Sequence, residues 1–257
     1  MRFRPTYADP GALRDWAYEV GDRRTSLVLY WVVRRLARLL LHPYLRVAVR
    51  NAEALDRPGP LVVAPVHRSH LDSVIVATVC QRRLRALGKE SLFARRGLRY
   101  LCSALGAIPV KRGTADREAL KAAKQLLDRG EALFVFPEGA RISAAAAKKE
   151  PGSARAAINT VQPLFDGAAW LAARTHAPVV PVGIAGTAAA LSAGSRRLHR
   201  TTVRIVVGNP IDPPQGTNGA RASRHQLAEF TEALAIRLQE LQDEAVRWAE
   251  EHPHEYR

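Results

Sequence analysis

His67 and Asp72 are the pair in this sequence best suited to moving a proton. Two residues five apart on one helix point about 140° away from each other, so they cannot meet if both are helical. They meet if His67 lies on a strand-to-helix turn and Asp72 in the first turn that follows, with Ser69 as N-cap. An imidazole held by a carboxylate can take the proton of an alcohol as that alcohol attacks a carbonyl. No serine or cysteine sits in a nucleophile-elbow pattern, which favours direct attack over a covalent intermediate. The same stretch, with His67, His70 and Asp72, has the donor types of a zinc site, although no further His or Cys cluster lies nearby in sequence. A merely polar turn is the third reading these residues leave open.

Two arginines stand where a phosphate would need them. Arg112 follows Gly106-Ala107-Ile108-Pro109-Val110 and Arg141 follows Phe136-Pro137-Glu138-Gly139-Ala140, each beyond an expected strand, where α/β sheets place ligands. A guanidinium fork suits a phosphate monoester better than a lysine does. Gly139 permits close backbone approach, and Glu138 is placed to bond a hydroxyl or to position Arg112. Val179-Val180-Pro181-Val182-Gly183 reads as a buried strand framing the site.

The elements that would carry these residues alternate. Leu61–Ala64 is a short apolar run bounded by prolines, hence a buried strand, and Ser69–Arg82 a helix. Ser91–Ala94 reads as a strand, Arg96–Ala104 as a helix, and Ala107–Val110 as an edge strand because Pro109 cannot donate to a ladder. Thr114–Arg129 is a helix closed by Gly130, Ala132–Phe136 a buried strand, Gly167–Thr175 a helix, and Val179–Ile184 and Val203–Val207 strands. A C-terminal helix carries Leu227, Phe230, Leu234, Leu238, Leu241, Ala245 and Trp248 on one stripe. This alternation predicts an α/β fold with a mostly parallel sheet flanked by helices, preceded by an N-terminal amphipathic helical segment. Residues 1–55 read as that helical, membrane-associating segment and 56–257 as the α/β domain with its C-terminal helix; 141–163 reads as a long loop beside the site.

The chain has 257 residues, enough for one substantial core. With 39 Lys+Arg against 24 Asp+Glu the net charge is +15, a surface that attracts polyanions, either nucleic acid or an anionic lipid layer. No helix-turn-helix, finger or aromatic-basic interleaving supports specific nucleic-acid binding. Cys80 and Cys102 read as reduced core residues of a cytosol-facing protein. The N-terminal residues contain no apolar signal-peptide run, and no segment reaches the roughly 20 apolar residues needed to span a bilayer. Leu27–Leu41 divides on a helical wheel into an apolar arc (Val28, Val32, Leu36, Leu39, Leu40, Leu29, Val33) and an opposite arc of Arg34, Arg35 and Arg38 beside Trp31. Packing on the protein's own core and lying on a membrane surface both fit that pattern. Five arginines and no acid between Arg34 and Arg50 favour the membrane.

His67-Arg68-Ser69-His70-Leu71-Asp72, Gly106–Arg112, Phe136–Arg141 and Val179–Gly183, in that order, make the chain resemble the glycerolipid acyltransferase family, typified by 1-acylglycerol-3-phosphate acyltransferases. The resemblance covers about residues 60–186. It implies an α/β acyltransferase domain held on a membrane by an N-terminal helical segment. The implied reaction is attack by the hydroxyl of a phosphorylated lysolipid acceptor, lysophosphatidic acid first, on the thioester of acyl-CoA or an acyl carrier protein. By the same resemblance His67 is the general base, Asp72 its orienting partner, and Arg112, Glu138, Gly139 and Arg141 bind the acceptor, with no cofactor or metal beyond the acyl donor as co-substrate. The implied location is peripheral, on the cytoplasmic face of the cell membrane beside anionic lipid. The sequence departs from the family pattern in Val66 before the histidine, Ala140 in the third block and Asp166 ahead of Gly167. Another lysolipid, a lipoamino acid or a glycolipid as acceptor, or a non-catalytic basic lipid- or nucleic-acid-binding role, are the competing readings.

Overall fold

Leu61–Pro65, buried at every position, forms the strand around which the rest is arranged. The computed structural model describes residues 9–110, 117–139, 158–191, 197–216 and 220–253. In them seven strands form one sheet: β1 (Ala48–Arg50), β2 (Leu61–Pro65), β3 (Leu84–Lys89), β4 (Ala107–Val110), β5 (Ala132–Phe134), β6 (Val179–Ala185) and β7 (Arg204–Val207). Their spatial order is β1-β7-β6-β2-β5-β3-β4, parallel throughout except for the antiparallel β6–β7 pair. A mostly parallel sheet must be covered on both faces, and the near-continuous apolar runs of β2, β6 and β7 are the sequence form of that requirement. The sheet reaches into the segment read as N-terminal, since β1 pairs with β7 from Ala48↔Arg204 to Arg50↔Val206.

Helices α1 (Pro10–Gly21), α2 (Arg24–Tyr44), α3 (Leu71–Val79), α4 (Arg96–Ala104), α5 (Arg117–Asp128), α6 (Gly167–Thr175), α7 (Thr187–Ala190) and α8 (Arg224–Glu251) cover the sheet. Asp9 caps α1 by accepting the Ala12 N–H, and Ser223 with Gln226 forms a full capping box on α8. The stripe predicted on the C-terminal helix is buried at Phe230, Leu234, Leu238, Leu241, Ala245 and Trp248. It lies against β6 so closely that a Cβ built on Gly183 would meet the Leu241 carbonyl oxygen at 2.3 Å.

Several expected boundaries move. Helix α2 runs through Pro43 to Tyr44, because a proline in the last turn removes little of the ladder. Helix α3 spans only Leu71–Val79, and the chain then enters β3, a strand the sequence hides behind arginines. Arg85 in β3 is 1% exposed and pairs with Asp22 and Glu131 at 3.0 Å each, so its charge is neutralised inside the fold. Ser91–Ala94, expected as a strand, belongs instead to a 3-10 turn (Glu90–Phe93). Pro109 lies in edge strand β4 as its missing donor requires. Pro181 lies in β6, between Val179, bridged to Ile211, and Val182, paired with Val207. Its carbonyl accepts the Gly208 N–H while its ring nitrogen asks nothing of the ladder.

Most of the apolar arc of α2 faces outward, with Val28, Val32, Leu36, Leu39 and Leu40 exposed, whereas Leu29 and Val33 are partly buried. Arg34 does not join Arg35 and Arg38 outside. Its Nε donates to the carbonyls of Ala77 (3.0 Å) and Cys80 (2.9 Å) and its Nη2 to that of Thr78 (3.1 Å), capping the C-terminus of α3. His42 completes this latch through Nε2 and Thr78 Oγ1 at 2.8 Å. Burial, with Arg38 and Arg34 nearby, lowers the His42 pKa to about 4. No described helix is long and apolar enough to cross a membrane.

Candidate active site

The chain leaves β2 at Pro65 and turns through Val66–His70 into α3, at the carboxyl edge of the sheet between β6 and β5. Val66 is wholly buried among core residues. Asp72, the second residue of α3, is 0% exposed. Its Oδ2 accepts the main-chain N–H of Arg68 at 2.6 Å and of Ser69 at 2.7 Å, so the carboxylate closes the turn from inside the helix. The same oxygen lies 3.2 Å from Nδ1 of His67. The strand-to-helix geometry therefore brings together the two residues that a continuous helix would separate. Ser69 is not the N-cap; His70 holds that position without a side-chain cap. The Ser69 hydroxyl accepts the Leu71 N–H and donates to the Leu191 carbonyl.

The His67 ring is fixed on a second side. It stacks on Phe136 with centroids 3.5 Å apart and planes 18° from parallel, and Phe136 meets Phe134 edge-on at 4.6 Å. A carboxylate on Nδ1 and an aromatic wall against the ring leave the imidazole little rotational freedom and orient its Nε2 edge.

Glu138 lies beyond β5 and is 4% exposed. Its Oε2 accepts the main-chain N–H of His67 (2.7 Å) and Nη1 of Arg68 (2.8 Å), and its Oε1 accepts the same Nη1 (2.9 Å) and the Gln162 N–H (2.8 Å). Gly139 has φ +69°, and a Cβ there would meet the Phe165 ring at 2.7 Å, so turn geometry and packing both call for glycine. His67, Asp72, Glu138 and Gly139 thus gather around the ends of β2 and β5. Arg112 and Arg141 lie outside the described residues. Among the described residues no group of three or more His, Cys, Asp and Glu side chains is arranged to hold a metal, and the His67–His70–Asp72 alternative is not assembled.

Two features escape a reading of the sequence alone. Arg68 looks like a surface charge, yet its side chain is 2% exposed and bridges His67 to Glu138. An arginine wedged between an apolar strand end and a buried helix start was the available signal, because such a charge needs a buried acid. The second feature is an apolar cavity of about 210 Å³ between α2, α3, α4 and the sheet. Val33 and Ala37 of α2, Val74 and Ala77 of α3, and Cys102 of α4 line it, with Phe134 on the sheet side. Phe134 also meets Phe136, which stacks on His67, so two aromatic rings link the cavity wall to the histidine. Burial pushes the Cys102 thiol up, which keeps that wall neutral.

The acyltransferase family model matches residues 46–185, and the chain belongs to that family, within its glycerolipid branch. Over 212 residues it is 25% identical to the chloroplastic 1-acyl-sn-glycerol-3-phosphate acyltransferase BAT2 of Brassica napus, matching 81% of this chain but spanning only 57% of that relative's length. Over 198 residues it is 26% identical to the 1-acyl-sn-glycerol-3-phosphate acyltransferase of Bacillus subtilis, covering 77% of this chain and 88% of the relative. The crystal structure of the 1-acyl-sn-glycerophosphate acyltransferase PlsC from Thermotoga maritima shares the fold, with TM-score 0.64 and 20% identity over 90% of this chain and 88% of that one.

Proposed function

We propose that this protein transfers a fatty acyl group from an acyl thioester, acyl-CoA or an acyl carrier protein, to the hydroxyl of a phosphorylated glycerolipid acceptor, converting lysophosphatidic acid to phosphatidic acid. The observation that carries the reading is the contact of His67 Nδ1 with Asp72 Oδ2 at 3.2 Å in a member of the acyltransferase family. Nε2 of His67 takes the acceptor's hydroxyl proton while the oxygen attacks the thioester carbonyl. Asp72 holds the ring by its other nitrogen and balances the positive charge that the imidazole gains. When the tetrahedral adduct collapses, the C–S bond breaks, the ester forms, and the proton passes from His67 to the departing thiolate. The names of the Brassica and Bacillus relatives support lysophosphatidic acid as acceptor. Arg112 and Arg141 are the proposed phosphate ligands, and the cavity behind Phe134 is the proposed seat of the acyl chain, where each buried methylene contributes about 0.8 kcal/mol.

The protein works, on this reading, as a peripheral enzyme on an anionic membrane surface at the cytoplasmic face. The outward apolar stripe of α2 beside exposed Arg35 and Arg38 supports it. Purified protein given long-chain acyl-CoA or acylated carrier protein and a panel of lysophosphatidic acid, other lysophospholipids and glycolipids tests the acceptor. Turnover confined to lysophosphatidic acid is expected. Turnover with a different acceptor alone would replace the substrate and keep the chemistry, and turnover with none from either donor would refute the enzymatic reading.

A further inference from the structure

The carboxylate of Glu138 is enclosed by donors. Three groups reach it: the His67 N–H on Oε2, the Gln162 N–H on Oε1, and Arg68 Nη1, shared between the two oxygens. Its side chain is 0% exposed. An acceptor hydroxyl therefore has nothing on Glu138 to engage unless the cluster is taken apart. Arg68 is built into the same unit, since its Nη1 also donates to the His67 carbonyl at 3.2 Å and its Nη2 to the Thr160 carbonyl at 3.1 Å. The two peptide groups flanking the His67 Cα are thus held from one side, the N–H by Glu138 and the C=O by Arg68. Thr160 and Gln162, on the segment re-entering the described structure after residue 157, are anchored to the same pair. A buried ion pair adds little net stability over apolar residues of similar size, so its place around the histidine main chain points to alignment.

We infer that Arg68 and Glu138 are positioning residues that set the orientation of His67, and that Glu138 acts through this clamp without touching the acceptor. The inference rests on the acyltransferase reading above, and it reassigns Glu138 from the acceptor-binding role the sequence suggests. Arg68→Lys keeps the charge but cannot reach Glu138, the His67 carbonyl and the Thr160 carbonyl together. Glu138→Gln keeps the size but loses the charge. In both variants kcat falls about a hundredfold, the scale of a 1 Å misplacement, while KM for lysophosphatidic acid stays within about twofold. Because both residues act as one unit, the double variant Arg68→Lys/Glu138→Gln loses no more than the worse single one.

A second readout is independent of turnover. Modification of His67 by diethyl pyrocarbonate, followed by mass spectrometry, becomes about tenfold faster in Arg68→Lys as the clamp opens locally. Thermal melts of all variants separate this from unfolding, and Glu138→Asp, which keeps the charge, retains more activity than Glu138→Gln. A rise in acceptor KM with kcat preserved in Glu138→Gln, multiplying losses in the double variant, or an unchanged His67 modification rate in folded Arg68→Lys would each overturn the inference. Absence of acyl transfer in the unaltered protein would sink the underlying reading instead, and the modification rates would still decide whether the clamp exists.

Discussion

Asp72→Asn separates what Asp72 does for the fold from what it does for the chemistry. The amide is the same size, and its oxygen can still accept the Arg68 and Ser69 N–H groups that the carboxylate now takes at 2.6 and 2.7 Å. What changes is the charge. A hydrogen bond to a charged group contributes roughly 1.5–3 kcal/mol and a neutral one about 0.5–1.5, so weakening two main-chain bonds costs about 2 kcal/mol. The Asp72 Oδ1 is buried without a hydrogen-bond partner among the described residues, and an amide NH₂ turned to that side adds about 1 kcal/mol of unsatisfied donor. The variant should therefore fold, with stability lower by about 2–3 kcal/mol. In the reaction the loss is of similar size. A positive imidazole facing a carboxylate at 3.2 Å is favoured by roughly 5 kcal/mol at an effective dielectric of 20. If about half survives the competing dipoles, kcat drops on the order of a hundredfold. The assay pairs kcat for lysophosphatidic acid and long-chain acyl-CoA with thermal denaturation of the same samples. His67→Ala combined with Asp72→Asn should be no slower than His67→Ala alone, because the aspartate acts through the histidine. A folded Asp72→Asn protein with kcat within about threefold of the parent would refute the reasoning, as would losses that multiply in the double variant.

Other outcomes follow from the same packing and hydrogen bonds. Gly183→Ala drives a methyl to 2.3 Å from the Leu241 carbonyl oxygen and should lower stability by about 2–4 kcal/mol in urea titration; a loss under about 0.5 kcal/mol would show that α8 can move away. His42, held neutral with its pKa lowered to about 4 from the ordinary 6.5, binds fewer protons folded than unfolded between those values, so stability is full above about pH 6.5 and falls as the pH drops toward 4. The difference has a ceiling near 3 kcal/mol, which solvent access to the ring reduces to about 1–2; melting curves of the parent and of His42→Gln should converge at low pH, and parallel curves would contradict the assignment. Changing Leu36, Leu39 and Leu40 together to Glu should release the protein from anionic vesicles without lowering its melting temperature, since all three side chains face outward. Unchanged co-sedimentation would remove α2 as the membrane contact.

The sheet was legible because its central strands are runs of Val, Leu and Ala between prolines, and burial on both faces leaves no other explanation for such runs. Strand β3 was not, since Arg85 reads as polar until Asp22 and Glu131 are brought beside it from elsewhere in the chain. His67 and Asp72 could be paired in advance from the turn their spacing demands. Arg68 could not, because its partner Glu138 is 70 residues away and only the adjacency of β2 and β5 unites them. The wheel of α2 separates apolar from basic residues but does not show that Arg34 turns to the protein while Arg35, Arg38 and most of the apolar arc stay outside. That depended on Arg34 finding the free carbonyls at the end of α3, a tertiary contact with no local sequence signal.

Single-turnover acyl transfer by purified His67→Ala, with lysophosphatidic acid and radiolabelled acyl thioester, tests whether His67 removes the acceptor's proton. Replacing the ring forfeits the base and its stacking on Phe136 but leaves the Asp72 bonds to Arg68 and Ser69, so the variant stays folded. Phosphatidic acid formation should fall by about 10²–10⁴-fold, the range attributed to general base catalysis, with binding of both substrates retained. Formation within about tenfold of the unaltered protein would contradict it.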